Sequence, residues 1–370
     1  KGISLFIVPK WLVHPDGTLG DRNAVNCGAL EEKMGIHGNA TCVMNYDSAV
    51  GYPLGQEHKG LRTMFIMMNA ARLVVALQGL SQAEVAYQNA LAYCKERLQG
   101  RSPQGAKYPD QPADPIIVHP DIRRMLMTVK VFKEGARALA YWAGLMVDII
   151  RKHPYPETRQ KTEDLLGLLT PVLKAYLTDT GFNSVNLCLQ CFGGYGYIAE
   201  SGMEQFVRDV RITQIYEGAN GIQALDLTGR KLPANRGRAI QLFLALVGVF
   251  CEKHKDSAAL SPFIKPLSEA LERLIEATQW LMQQALADPD NGGAVSMDYL
   301  YIMALVTLGY QWAQVARVCE NPLSKPDDDS FDRAFYQSKW VCAKFFIEKV
   351  LPETMSNKAK IRAGADSLMT

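Results

Sequence analysis

The sequence lacks the features that would give it a charged partner or a metal. With 40 basic against 38 acidic residues the net charge is only +2, so no field of one sign favours nucleic acid or an anionic membrane surface. Apolar stretches such as Leu242 to Phe250 are too short for a membrane span. No secretory signal opens the chain. Histidine is scarce, with six residues, and none lies near the single C-x-x-C formed by Cys188 and Cys191. That pair therefore reads as two thiols on adjacent helical turns, and no metal site is expected. The eight cysteines are scattered and mostly flanked by apolar residues. That pattern suits reduced core thiols and a cytoplasmic location. Short internal repeats and low-complexity tracts are also missing.

What is present is apolar content, 48% of 370 residues, enough for a large core in two or three domains. Residues 1–54 read as β. Ile3 to Val8 is an apolar run closed by Pro9, expected to be a buried strand, and Cys42-Val-Met-Asn-Tyr46 marks a second. Two or three strands do not make a stable sheet alone. Lys1 begins a strand with no lead-in, so the sequence is expected to be a piece of a longer protein.

From Gly55 the period changes to that of helices. Residues 60–99 contain no proline, and Met64, Met67, Met68, Ala71, Val75, Leu80, Ala86 and Leu91 recur at helical spacing. Gly79, near the small Ser81 and Ala83, implies close helix contact. A second helix is expected from Asp121, as its cap, to about Lys152, broken by His153-Pro-Tyr-Pro156. A third runs from about Glu157 to Phe192, with a kink or register change near Thr178 to Phe182. Shorter helices over 202–213 and 220–232 complete a four-helix bundle spanning 55–232. Pro233 to Gly237 reads as a linker to an extra helical domain over 233–370. Its helices are expected at 238–256, 262–287, 295–319 and 328–352, with breaks at Asp288 to Gly293 and Asn321 to Asp329. The acidic run Asp327 to Asp329 reads as a solvated loop and helix cap. The fold class is mainly α.

One stretch carries chemistry. Gln190-Cys-Phe-Gly-Gly-Tyr-Gly-Tyr197 holds a glycine knot of Gly193, Gly194 and Gly196, where a ligand can approach the main chain closely. Downstream, Glu217 is the one acid in Ile215-Tyr-Glu-Gly-Ala219. A carboxylate between an aromatic ring and a glycine can sit in a dry pocket and act as a base. Spacing alone favours a surface acid in a loop before a helix.

Gln190-x-x-Gly-Gly-x-Gly-Tyr197, Arg208-Asp209, Ile215-Tyr-Glu-Gly218 and Ile222-Gln223 together resemble the C-terminal signature of the acyl-CoA dehydrogenases. The resemblance extends to Gly55–Arg97, where Arg72 and Arg97 stand 25 residues apart. His119-Pro-Asp-Ile-Arg-Arg-Met125 and the added C-terminal block resemble the larger branch of that family, which includes 3-methylmercaptopropionyl-CoA dehydrogenases.

The resemblance implies FAD as cofactor and α,β-dehydrogenation of an acyl-CoA thioester. Glu217 then matches the base that takes the α-proton while the β-hydride passes to flavin N5. Arg72, Tyr216 and Gly218 match substrate-binding positions. Arg97, Gln190, Gly193, Gly194, Ala219 and Gly221 match cofactor-binding positions, some of them serving a neighbouring subunit. Ala219 stands where threonine is usual, and Gln99 or Gly100 where many members carry a phenylalanine. An electron-transfer flavoprotein is the implied acceptor, and a homodimer or dimer of dimers the implied assembly. The family's N-terminal helical domain is not in the sequence. Two other readings stay open at this point: a helical interaction module with a degenerate flavin site, and an acyl-CoA oxidase.

Overall fold

A computed structural model describes residues 2–324 and 332–369. It divides into two compact units, 1–74 and 75–370. The first unit holds six short strands in three antiparallel pairs. β1 (Leu5–Ile7) pairs with β6 (Tyr52–Leu54), β2 (Trp11–Val13) with β3 (Leu19–Arg22), and β4 (Val25–Leu30) with β5 (Cys42–Tyr46). Asn23 ties the pairs together, donating to the carbonyls of Pro9 and Val50 and accepting from the Val50 amide. The buried strand expected over Ile3 to Val8 is corrected here. Phe6 and Ile7 are more than half exposed, because β1 bonds only to β6 and no second sheet covers it among the described residues.

Helices build the rest. α1 (Gly60–Glu96) begins in the first unit and continues into the second. α2 (Pro120–Lys152) and α3 (Pro156–Cys191) run beside its second part. α4 (Met203–Arg211) and α5 (Asn220–Asp226) follow, the latter extended by a π turn over Leu227–Lys231. The C-terminal block comprises α6 (Arg238–His254), α7 (Ser261–Ala287), α8 (Pro289–Ala294) and α9 (Ser296–Ser324). It ends with α10 (Arg333–Phe345), α11 (Glu353–Ala363) and α12 (Asp366–Met369). The mainly α expectation holds.

Proline sets several boundaries. Pro120 occupies the first turn of α2 and Pro156 that of α3, where the missing N–H has no helical partner to lose. The cap of α2 is His119, and Asp121 lies in the first turn, bonded to Arg124. The segment 288–293, expected as a break, forms α8, with Asp288 accepting from the Asp290 amide at its start. The run Asp327 to Asp329 lies outside the described residues; the cap of α10 is Asp332.

No kink interrupts α3 at Thr178 to Phe182. Glycine there serves packing instead. A Cβ at Gly181 would lie 2.7 Å from the Gly79 carbonyl oxygen, and one at Gly79 would lie 2.6 Å from that of Leu177. α1 and α3 therefore cross backbone to backbone. Around this crossing α1 buries Ala76, Leu80, Ala83, Ala86, Ala90 and Cys94. The same helix corrects the estimate of apolar stretch length. An 18-residue window of α1 has mean hydropathy 1.4, enough by length and composition to cross a membrane.

Charged ties link these layers. Glu84 on α1 accepts from Lys133 and Arg137 on α2. Burial opposes ionisation of Glu84, but hydrogen bonds from Arg137, Gln88 and Lys133 hold its carboxyl at about 2. Glu134 on α2 accepts from Lys339 on α10 at 2.8 Å. Arg238 on α6 grips both carboxylate oxygens of Asp164 on α3, at 2.6 and 2.8 Å.

Candidate active site

The site grows from an anomaly in α3. From Leu168 to Thr178 every residue of this helix is buried. One of them is Lys174, whose side chain has no exposure at all. An ammonium group in such a place is costly unless paired and hydrogen-bonded. Lys174 Nζ donates to the Gly218 carbonyl and to Asn220 Oδ1, each at 2.8 Å. Asn220 Nδ2 in turn donates to Thr178 Oγ1 at 2.9 Å and Asp179 Oδ1 at 2.7 Å. Asp179 also accepts from Gln214 Nε2 at 2.6 Å and, on its other oxygen, from the Tyr301 hydroxyl at 2.9 Å. Gln223 Nε2 donates to the carbonyls of Glu217 and Gly218, both at 3.2 Å.

All of these bonds but that of Tyr301 have an end in the segment 214–223. Its backbone is unusual. Glu217 has φ 54° and Gly218 φ 90°, so two successive residues lie in the left-handed region. For a glycine this costs little, while for Glu217 it costs roughly 1–2 kcal/mol. Such strain persists where the surroundings over-determine the geometry, and it concentrates at functional sites. The carbonyls of Glu217 and Gly218 are both held by side chains. The Glu217 side chain is half-buried. Beside it, the Tyr216 hydroxyl donates to Gln78 Oε1 on α1, and burial raises the pKa of the phenol. Ala219 is the exposed N-terminal cap of α5, and Gly221 follows at its second position. Thus Tyr216, Glu217, Gly218, Ala219 and Gly221 form one continuous surface.

A second cluster forms at the far end of α3. Gly193, at φ 59°, opens a tight turn over Gly193–Tyr197. A Cβ at Gly196 would press within 2.6 Å of the Leu189 carbonyl, so that glycine serves the fold. Gly193 and Gly194 differ, because a Cβ at either meets nothing within 4 Å. The end of α1 packs here through Tyr93, which stacks on Phe192 at 4.2 Å and faces Tyr195 at 6.0 Å. One turn on, the Arg97 amide bonds the Tyr93 carbonyl, and the Arg97 carbonyl accepts from Ile116. A buried Asp114 closes the intervening loop. It accepts from the amides of Ser102, Lys107 and Tyr108 and from Arg101. Burial works against its ionisation, but those bonds hold it at about 2. Gln190 stands just before this open glycine turn, and both it and Arg97 are exposed.

The structure thus gathers the expected residues into two groups. Sixteen residues of α3 separate Lys174 from Gln190, about 24 Å along a helix. Arg72 lies in the first unit. It is buried, with its guanidinium 5.5 Å from the centre of the Phe65 ring. The C-x-x-C thiols, Cys188 and Cys191, are buried and unlinked.

Sequence reading misses Lys174, Asp179, Asn220, Gln223 and Tyr301. A usable signal exists for Lys174, the sole charge in the otherwise uncharged run Leu165 to Thr178. Nothing comparable marks Tyr301, whose partner is 122 residues away.

Comparison with known proteins completes the description. Residues 58–232 match the family described as "Acyl-CoA dehydrogenase, C-terminal domain". Residues 243–370 match "Acetyl-CoA dehydrogenase C-terminal like". The chain is 38% identical to 3-methylmercaptopropionyl-CoA dehydrogenase of Ruegeria pomeroyi, over all of its own length and 62% of that protein. It is 32% identical to a butyryl-CoA dehydrogenase of Syntrophomonas wolfei, over 95% of its own length and 58% of that protein. It therefore spans about three-fifths of the curated relatives it matches. In fold it is similar to Caenorhabditis elegans ACDH-11 in complex with C11-CoA, with TM-score 0.73 and 19% identity, covering 97% of this chain and 60% of the other. A Bacillus anthracis acyl-CoA dehydrogenase complexed with FAD gives TM-score 0.70 at 19% identity, covering 91% and 56%.

Proposed function

The chain belongs to the acyl-CoA dehydrogenase family, and from that premise we propose that it supplies the base and part of the cofactor site for FAD-dependent α,β-dehydrogenation of an acyl-CoA thioester. The observation that carries this reading is the strained, braced turn at Glu217, a carboxylate at φ 54° followed by Gly218 at φ 90°.

An α-proton next to a thioester is too weakly acidic for a carboxylate in water. Two things make the transfer feasible. The thioester oxygen is polarised by a fixed donor, for which the resemblance implies the main-chain N–H of Glu217. Substrate also excludes water around the half-buried carboxylate, so that charges and dipoles there act in a low dielectric. Glu217 then takes the α-proton and becomes a neutral acid, while the β-carbon gives up a hydride and the double bond forms between the two carbons. FAD, when bound, supplies the hydride acceptor. Tyr216 and Gly218 border the same turn, and the resemblance implies that they line the thioester end.

The glycine turn fits a pyrophosphate. Gly193 and Gly194 leave their side-chain space open, and the resemblance implies that Arg97 and Gln190 offer a cation and an amide to the same group. Its distance from Glu217 along α3 supports a site in which Arg97, Gln190, Gly193 and Gly194 serve a second copy, while Ala219 and Gly221 serve the first. The implied assembly is at least a dimer. Electrons then leave to an electron-transfer flavoprotein, on the strength of the resemblance alone.

The test is to load the purified protein with FAD, desalt it, and add butyryl-CoA without oxygen. Retained flavin that bleaches, with an enoyl-CoA product, is the expected result. Retained flavin that never bleaches with any acyl-CoA would favour a non-catalytic helical module.

A further inference from the structure

The C-terminal block reaches the turn that carries Glu217. Tyr301 lies on α9, and its hydroxyl donates to Asp179 on α3. Asp179 holds Asn220 and Gln214, the residues that bracket the Glu217 turn on either side. Lys174 completes the circuit through Asn220 and the Gly218 carbonyl. We propose that Lys174, Asp179 and Tyr301 are positioning residues for Glu217, so that α9 of the C-terminal block braces the reactive turn. This inference rests on the reading of Glu217 as the base.

Three observations carry it. First, the turn holds a non-glycine residue at positive φ, and the bonds that oppose its relaxation come from α3, α5 and α9 rather than from the turn itself. Second, the relay is buried at Lys174, Thr178 and Asn220 and half-buried at Asp179 and Tyr301. Lys174 and Thr178 have no exposure, Asn220 is 6% exposed, and Asp179 accepts from three side chains. Networks of this kind rigidify when every member is satisfied. Third, Tyr301 is itself fixed. Its ring meets Tyr176 edge-on at 5.4 Å, so the hydroxyl is aimed rather than free to rotate away. Burial and the neighbouring Asp179 carboxylate both keep the phenol protonated, which makes it a donor throughout the working pH range.

A brace of this kind acts on geometry. Loss of the Tyr301 hydroxyl leaves Asp179 with one oxygen lacking that donor and loosens its hold on Asn220. The turn then samples conformations in which the carboxylate misses the α-carbon. Transition-state geometry is affected more than substrate binding, so turnover falls and KM changes little.

The experiment compares wild type, Tyr301→Phe and Glu217→Gln in the FAD-loaded protein. Hydrogen–deuterium exchange is followed over residues 212–226 and over α9. Flavin bleaching by butyryl-CoA is followed in parallel. For Tyr301→Phe, exchange over 215–220 is expected to rise about tenfold while the α9 interior is unchanged, as loss of one hydrogen bond lowers the local opening free energy. Bleaching is expected to slow by a similar factor at nearly constant KM. Exchange over 215–220 identical to wild type overturns the brace. So does a loss confined to melting temperature, with bleaching per bound flavin unchanged. If Lys174→Met is also made and fails to fold, Tyr301→Phe still decides the matter. Glu217→Gln keeps the two ideas apart: unimpaired bleaching in that variant defeats the base assignment, while the exchange result stands or falls separately.

Discussion

Lys174, with no exposure to solvent, donates at 2.8 Å to the carbonyl of Gly218 and so fastens the turn holding Glu217 to the centre of the bundle. The two residues are 44 apart in sequence. Replacing Lys174 with methionine keeps the apolar stem and removes both hydrogen bonds, leaving the Gly218 carbonyl and Asn220 Oδ1 without that donor. Urea denaturation is expected to show a loss of about 2 kcal/mol, the usual range for a buried bond to a charged group. A more stable variant would mean that the ammonium is a burden retained for the turn rather than for the fold.

The crossing of α1 and α3 leaves no space for a methyl group. Gly181→Ala places a Cβ 2.7 Å from the Gly79 carbonyl oxygen. The helices must separate, at a cost of about 1–3 kcal/mol. A thermal melt checks this, and an unchanged midpoint would show that the crossing is looser than it looks.

Acid should unfold the protein through Glu84. Its folded pKa is about 2 against an ordinary 4.5. A depressed carboxylate contributes stability above its unfolded pKa and loses it as pH falls towards the folded value. Stability is therefore expected to decline between about pH 4.5 and about pH 2. In Glu84→Gln the decline over this window should be shallower, as measured by urea midpoints at several pH values.

The glycine turn separates site from fold. A Cβ at Gly194 meets nothing within 4 Å, so in Gly194→Val stability should change by no more than about 0.5 kcal/mol. Flavin retention after desalting should drop sharply, because the side chain occupies the space a pyrophosphate would use. Gly196→Ala should do the reverse and destabilise the fold, since its Cβ presses on the Leu189 carbonyl at 2.6 Å.

Much of this was legible in the sequence, because local rules govern it. The proline-free stretch after Gly60 and the break at His153 to Pro156 place the long helices to within a turn. The small residue Gly79 announces a close crossing, and that crossing exists. The kink expected near Thr178 to Phe182 misled, because a helical glycine such as Gly181 can be a break or a contact, and only the neighbouring helix decides. Strand β1 misled for a related reason: an apolar run describes what a strand can bury, and its burial depends on a partner layer. Glu217 was singled out through a motif. Its supports were not, since Asp179, Asn220 and Tyr301 are ordinary residues whose meaning comes from meeting across 41 and 122 positions.

The most direct measurement is anaerobic flavin bleaching by butyryl-CoA in Glu217→Gln, made beside wild type with FAD content matched. The amide preserves size and leaves the turn and the glycine cluster intact, so flavin should stay bound. With no carboxylate to accept the α-proton, bleaching should fall by about a thousandfold or more. Bleaching at the wild-type rate would show that another group takes the proton and that the turn at Glu217 serves some other purpose.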